Sequence, residues 1–244
     1  MKPLIHVLKN AGVSRRNIGA DSDAIAAFQP SRRMVAAGMA FALAGVMISE
    51  ASSAAQPIKL VAFGDSLTAG YGVGPADAFP VKLAAALKAK GRDVAISNAG
   101  VSGDTASGGA DRVDWSVPEG TQGVILSLGA NDMLRGVDPK TTRAALTRIL
   151  DRLQARKISV MLAGMRAAPN LGLDYGKSFE KIYTDLASER GLTLYPFFLE
   201  GVAGDRSLNQ TDGIHPNPKG VDVIVAGMLP KVEEFLDKIE AGRS

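Results

Sequence analysis

Ser66, in "FGDSLTAGYG" (63–72), and the pair Asp212 and His215, in "TDGIHPNPKG" (211–220), are the side chains with the most chemistry to offer. The 244 residues contain only 2 histidines, the other being His6 near the N-terminus. A serine hydroxyl is a weak nucleophile until a neighbouring base takes its proton. Neutral imidazole is that base near neutral pH. An aspartate three residues before the histidine can return to Nδ1, fix the tautomer and stabilise the imidazolium. A tetrahedral oxyanion formed by such an attack needs donors. Ser66 N–H, Gly103 N–H in "NAGVSGDTA" (98–106) and the Asn131 amide in "SLGANDMLRG" (127–136) are the candidates.

Each motif alone has a plain structural explanation. "GDSL" could be a strand-to-helix turn with a capping residue, "GAND" an Asx-turn, and "NAGVSGDTA" a glycine-rich connection. Asp-x-x-His could be a surface pair or a helix-start cap. In combination, each following a strand or preceding a helix, they point to acyl transfer by an activated serine.

The elements that must position them are legible in the same sequence. "IKLVAFG" (58–64), "VAISNAG" (94–100), "GVILSLGAND" (123–132), "SVMLAGM" (159–165) and "LTLYPF" (192–197) read as strands. Helices are expected over 79–91, around Thr105–Val113, and over roughly Lys140–Arg156, Tyr175–Arg190 and Lys219–Glu240. Strands alternating with helices predict one α/β domain with a parallel sheet covered on both faces. In such a sheet, ligands bind beyond the carboxyl ends of the strands, where the four polar loops lie.

Composition sets further bounds. Six of the 28 Lys/Arg and three of the 25 Asp/Glu fall in residues 1–55, leaving 22 of each beyond. The net charge of +3 therefore belongs to the leader, and a nucleic-acid partner loses its electrostatic basis. That leader reads as an export signal: Arg32-Arg33, the apolar run Met34–Ile48, then small residues in "EASSAAQP". As a helix the apolar run would rise only about 22 Å, short of a roughly 30 Å hydrocarbon core. Cleavage is expected near Ala54 or Ala55, releasing residues 56–244 as one domain in the periplasm or outside the cell. "SRRMV" fits a twin-arginine route loosely, because Met and Val stand where a bulkier pair is usual, so the Sec route stays open. Without cysteine there is neither a lipid-anchored cysteine nor a disulfide, and no stable membrane anchor is expected after processing.

Rival chemistries lack their parts. Zinc needs several His, Cys or carboxylate ligands together, and one histidine remains after leader removal. A carboxylate-built Mg²⁺ or Ca²⁺ site stays conceivable, with no EF-type loop to supply it. "GDSLTAGYGVG" lacks the Gly-Lys-Ser/Thr ending of a phosphate loop, and the G-x-S-x-G elbow is absent. The expectation is an enzyme without metal or cofactor.

From about Leu60 to Leu236 the chain resembles the GDSL (SGNH) hydrolases, in particular the secreted thioesterase, lysophospholipase and arylesterase branch. "FGDSLTAGYG", "NAGVSGDTASGG", "LGANDMLRG", "GMRAAPNLGLDYGKSFEKIY", "YPFFLEGV" and "DGIHPNPKG" carry the likeness. It implies a flavodoxin-like three-layer α/β/α sandwich with a five-stranded, mainly parallel sheet. It also implies a Ser66–His215–Asp212 triad, an oxyanion hole of Ser66, Gly103 and Asn131, and small acyl ester or thioester substrates. In this branch two loops help bind the acyl chain, here about Met133–Asp138 and Ala168–Tyr175, offering Met133, Leu134, Leu171, Leu173 and Tyr175. Ordinary loop packing is an equal explanation for those five. Two alternatives remain: a carbohydrate acetylesterase, for which one tryptophan (Trp115) and four tyrosines offer little sugar platform, and a non-catalytic lipid- or glycan-binding module. Neither oligomeric state nor acyl chain length can be read from the sequence.

Overall fold

The computed structural model describes residues 56–242; the leader and its expected cleavage site lie outside the described residues. The first apolar run forms β1 (Ile58–Gly64), buried everywhere except Lys59. β2 (Val94–Gly100) is a half-exposed edge strand, whereas β3 (Gly123–Ser127) is buried at every position. β4 (Ser159–Ala163) and the short β5 (Thr193–Tyr195) complete a sheet of order β2-β1-β3-β4-β5. Every neighbouring pair is parallel. Continuous burial along β1 and β3 is what a sheet covered on both faces requires.

Among the described residues, seven α-helices supply the cover: α1 (Ser66–Ala69), α2 (Phe79–Ala89), α3 (Ala106–Ser116), α4 (Ala130–Leu134), α5 (Pro139–Ala155), α6 (Leu173–Arg190) and α7 (Pro218–Ala241). α2 packs against α7 in one layer, while α3 packs against α5 and α5 against α6 in the other. This is the three-layer, flavodoxin-like arrangement. α5 shows why such helices form: Leu146, Ile149, Leu150 and Leu153 repeat at helical spacing and are all buried. Its start is fixed by Asp138, which accepts from Lys140 N at 2.8 Å, and by Pro139 in the first turn. Each fully buried leucine or isoleucine of this kind stabilises the fold by about 1.5–3 kcal/mol.

Register does most to create the site. Gly64 at the end of β1 lies level with Gly100 of β2 and with Ser127 of β3. Ser66, Gly103 and Asn131, each a few residues past those ends, therefore emerge at the same edge of the sheet. His215 reaches that edge by a different route. β5 lies three strand positions from β1, about 14 Å at ordinary strand spacing. The segment 196–217 has to span that offset. It is anchored by Phe198, buried edge-on to Phe79 with ring centroids 5.0 Å apart, and by buried Val202. Asn209 Nδ2 adds bonds of 2.7 Å to the carbonyls of Val202 and Asp205.

The third strand is shorter than the sequence suggests. Instead of running to Asp132, it ends at Ser127, and Asn131 sits in α4. The break is at Gly129, whose φ of 115° belongs to glycine. A Cβ there would collide with Tyr183 Oη, which donates to Leu128 O at 2.9 Å from a fully buried position. β4 and β5 likewise stop short of their expected ends, while α6 starts two residues early and takes Tyr175 into its first turns.

Gly129→Ala should therefore strain the backbone by about 1–3 kcal/mol and displace a buried hydroxyl worth a similar amount. The expected result is a urea midpoint lowered by about 2–4 kcal/mol of stability with unchanged slope. Adding Tyr183→Phe, which removes the colliding oxygen, should recover part of the loss in a double-mutant cycle.

Candidate active site

Ser66 is the first residue of α1, directly after the β1 turn. Asp65 caps the helix by accepting from Leu67 N at 3.0 Å, and Gly70 closes it in the left-handed region. Ser66 Oγ lies 2.9 Å from His215 Nε2, across 149 residues of chain. On the other side of the ring, His215 Nδ1 is 2.7 Å from Asp212 Oδ2. Asp212 Oδ1 accepts from Ile214 N at 2.9 Å and from His215 N at 3.0 Å. The His215 and Ile214 backbone donors, then the imidazole, hold the Asp212 carboxyl at about 2. An ionised Asp212 demands a proton on Nδ1, which turns the Nε2 lone pair toward the Ser66 hydroxyl.

The three expected oxyanion donors are also present at this edge. Among the described residues, neither Ser66 N–H nor Gly103 N–H has a backbone acceptor outside its own element. Gly103 adopts φ 84°, a left-handed conformation that glycine reaches without strain. Asn131 gives one amide hydrogen to Asp104 O at 3.0 Å, leaving the second for a ligand.

Behind these donors lies a buried polar frame. Arg112 Nε pairs with Asp104 Oδ2 at 2.7 Å, and its two terminal nitrogens donate to Gly64 O and Ala99 O, each at 2.9 Å. One buried guanidinium thus joins the end of β1, the end of β2 and the Gly103–Asp104 loop, with its carbon 4.1 Å from the Phe63 ring centroid. Asp132 Oδ2 accepts from Ala106 N at 2.8 Å and Oδ1 from Thr142 Oγ1 at 3.1 Å, tying α4 to α3 and α5. Sequence motifs do not mark Arg112, Asp104 or Asp132 as a frame. The one available signal was a charged residue, Arg112, on the otherwise apolar inner face of α3.

The five residues expected to contact an acyl chain divide. Met133 is buried in the core at 8% exposure, and Leu171 packs partly against it. Leu134 and Leu173 stand exposed, at 49% and 81%. Tyr175 donates to Val137 O at 2.9 Å, joining the two loops, and stacks on Phe179. Three further apolar side chains lie open near Ser66 and His215. Tyr71 leans on His215 with centroids 4.6 Å apart, Ile214 precedes that histidine, and Val101 follows β2.

Residues 62–223 match the family described as GDSL-like Lipase/Acylhydrolase. The chain belongs to that family. It is 36% identical over 173 residues to the arylesterase of Vibrio mimicus, spanning 70% of this chain and 86% of that protein. Esterase TesA of Pseudomonas aeruginosa is 35% identical over 195 residues, 80% of this chain and 96% of its own length. The crystal structure of AlinE4, an SGNH-hydrolase family esterase, superimposes with a TM-score of 0.63 at 43% identity, covering 73% of this chain and 96% of that one. This GDSL-family protein is a serine esterase acting on small ester molecules.

Beside Ser66, Asp65 is 1% exposed. Loss of water pushes its carboxyl up from 3.8 to about 6, against the Leu67 N–H and the charge on His215, with Asp104 adding to the rise. The folded chain holds this proton more tightly than the unfolded chain does. Asp65 therefore favours the fold most below about pH 4, and that contribution is lost as pH rises through about 6. Asn caps a helix about as well as Asp. Asp65→Asn should thus raise stability at pH 8 by about 1–3 kcal/mol and much less at pH 4, measured by denaturant unfolding at both pH values.

Proposed function

We propose that Ser66, His215 and Asp212 form the catalytic triad of this esterase, and that it hydrolyses carboxylic esters and thioesters of apolar acyl groups through an acyl-enzyme. The observation that carries this reading is the continuous chain of contacts from Ser66 Oγ through the imidazole to the Asp212 carboxylate. Ser66 donates its proton to His215 Nε2 as Oγ attacks the substrate carbonyl carbon. Ser66 N–H, Gly103 N–H and the Asn131 amide receive the oxyanion, and Asp212 steadies the imidazolium. His215 then delivers the proton to the departing alcohol or thiol. Water, deprotonated by the same imidazole, releases the acid and restores Ser66.

Apolar acyl specificity is supported by Leu134 and Leu173, exposed on the two loops that Tyr175 joins. The named relatives, an arylesterase and an esterase, with a thioesterase 1/protease 1/lysophospholipase L1 of Escherichia coli at 34% identity, agree with this substrate range. A sugar-binding version has less support. Trp115 is 74% exposed but lies toward the C-terminal end of α3, away from the end that carries Thr105 and the site. We further propose that residues 1–55 direct export. Among the described residues, no helix is long and apolar enough to cross a membrane.

Ser66→Ala should abolish hydrolysis of a p-nitrophenyl ester, and an unchanged rate would remove the triad assignment. Asn131→Ala should lower kcat by about 10²–10³ with little change in KM. Along an acyl series from acetyl to palmitoyl on one leaving group, kcat/KM should peak at medium or long chains. A steep preference for acetyl would favour a carbohydrate acetylesterase.

A further inference from the structure

Ser66 and His215 are contributed by segments that share no secondary structure. Ser66 is on α1, and His215 is on the segment before α7. Their side chains nonetheless hold a 2.9 Å contact. Two segments meeting only through that contact would drift, because the connection before α7 is free to fray on its own. Something must set the separation of their backbones, and a single residue bonded to both loops is available.

That residue is Gln210. Its backbone N–H donates to His215 O at 2.7 Å. Its side-chain Nε2 donates to Tyr71 O at 2.8 Å and to Pro216 O at 2.9 Å. Tyr71 N–H in turn donates to Ser66 O at 3.1 Å. The contacts close a ring: Ser66 carbonyl to Tyr71 amide, Tyr71 carbonyl to Gln210 amide, Gln210 N–H to His215 carbonyl, and His215 Nε2 back to Ser66 Oγ. The Tyr71 ring, open to solvent on its other side, leans on the imidazole at a tilt of 42°.

The chemistry selects glutamine. Two carbonyl oxygens from different segments need two hydrogens on one neutral nitrogen, which the carboxamide provides and a carboxylate does not. Both acceptors being carbonyls also fixes which end of the amide faces them. The opposite loop is shaped to receive it: at Gly72, a Cβ would collide with the Gln210 carboxamide.

We propose that Gln210 is a positioning residue for hydrolysis, clamping the Tyr71 turn to the His215 loop and so setting the distance between nucleophile and base. It touches no reacting atom. The proposal rests on the assignment of Ser66 and His215 as the reacting pair.

The test compares Gln210→Met, which keeps length and removes both donors, with Gln210→Glu, which keeps shape and presents a carboxylate to two carbonyls. Hydrolysis of a p-nitrophenyl ester and the rate of inactivation by an organophosphate ester are measured for each. The second reaction needs an activated serine but no acyl-chain site. Both variants should lose about 10–100-fold in kcat, the scale of effect expected from an ångström of misplacement. KM should change less than about threefold, and inactivation should slow in the same ratio as kcat. A wild-type kcat in Gln210→Met would overturn the proposal. So would loss of folding, or a rise in KM matching the fall in kcat, since Gln210 would then support the fold or the substrate site. Ser66→Ala run alongside separates the failures. If it still reacts with the organophosphate, the triad assignment falls; if it is inert while Gln210→Met is normal, only the clamp falls.

Discussion

The level ending of three strands governs this molecule. Gly64 lies level with both Gly100 and Ser127 on the strands either side, so the turns that follow begin from one line. Ser66, Gly103 and Asn131 are carried on or just past those turns without any long excursion of the chain. A slip of one residue between β1 and β2 would turn every side chain of one strand to the opposite face. It would also part the carbonyls of Gly64 and Ala99 that Arg112 bridges. Register and site are thus secured by the same contacts.

Polar groups sit inside this edge at a cost. A buried guanidinium or carboxylate is tolerated only where its hydrogen bonds are satisfied. Arg112 meets that condition with Asp104, Ala99, Ser116 and Gly64 as partners. Asp132 meets it with Ala106 and Thr142. Asp65 meets it less completely: burial outweighs the Leu67 N–H it accepts from, and its carboxyl rises to about 6. The buried carboxylate raised furthest at this edge is the one beside Ser66, and functional sites are where proteins often give up stability.

Much of this was legible in the sequence because it is local. β1 and β2 occupy the expected residues, and α5, α6 and α7 fall within two residues of their expected ends, since apolar periodicity and capping residues act over short spans. Ser66, Gly103, Asn131, Asp212 and His215 could be singled out because serine, glycine, asparagine and histidine stand in short motifs. What the sequence hid depends on distant partners. The early end of β3 follows from Tyr183, more than fifty residues from Gly129. Met133 looked like a residue of an acyl loop, yet α4 turns it into the core. Gln210 carries no motif, and its significance appears only when Tyr71 is brought against it from across the chain.

The long return of segment 196–217 has a bearing on the life history of the polypeptide. The sheet is complete once β5 has been made, whereas the imidazole, on the segment before α7, arrives later. A ribosome therefore builds the scaffold and Ser66 first and adds its partner His215 near the close. Throughout most of its synthesis the nascent chain owns a hydroxyl with nothing to awaken it.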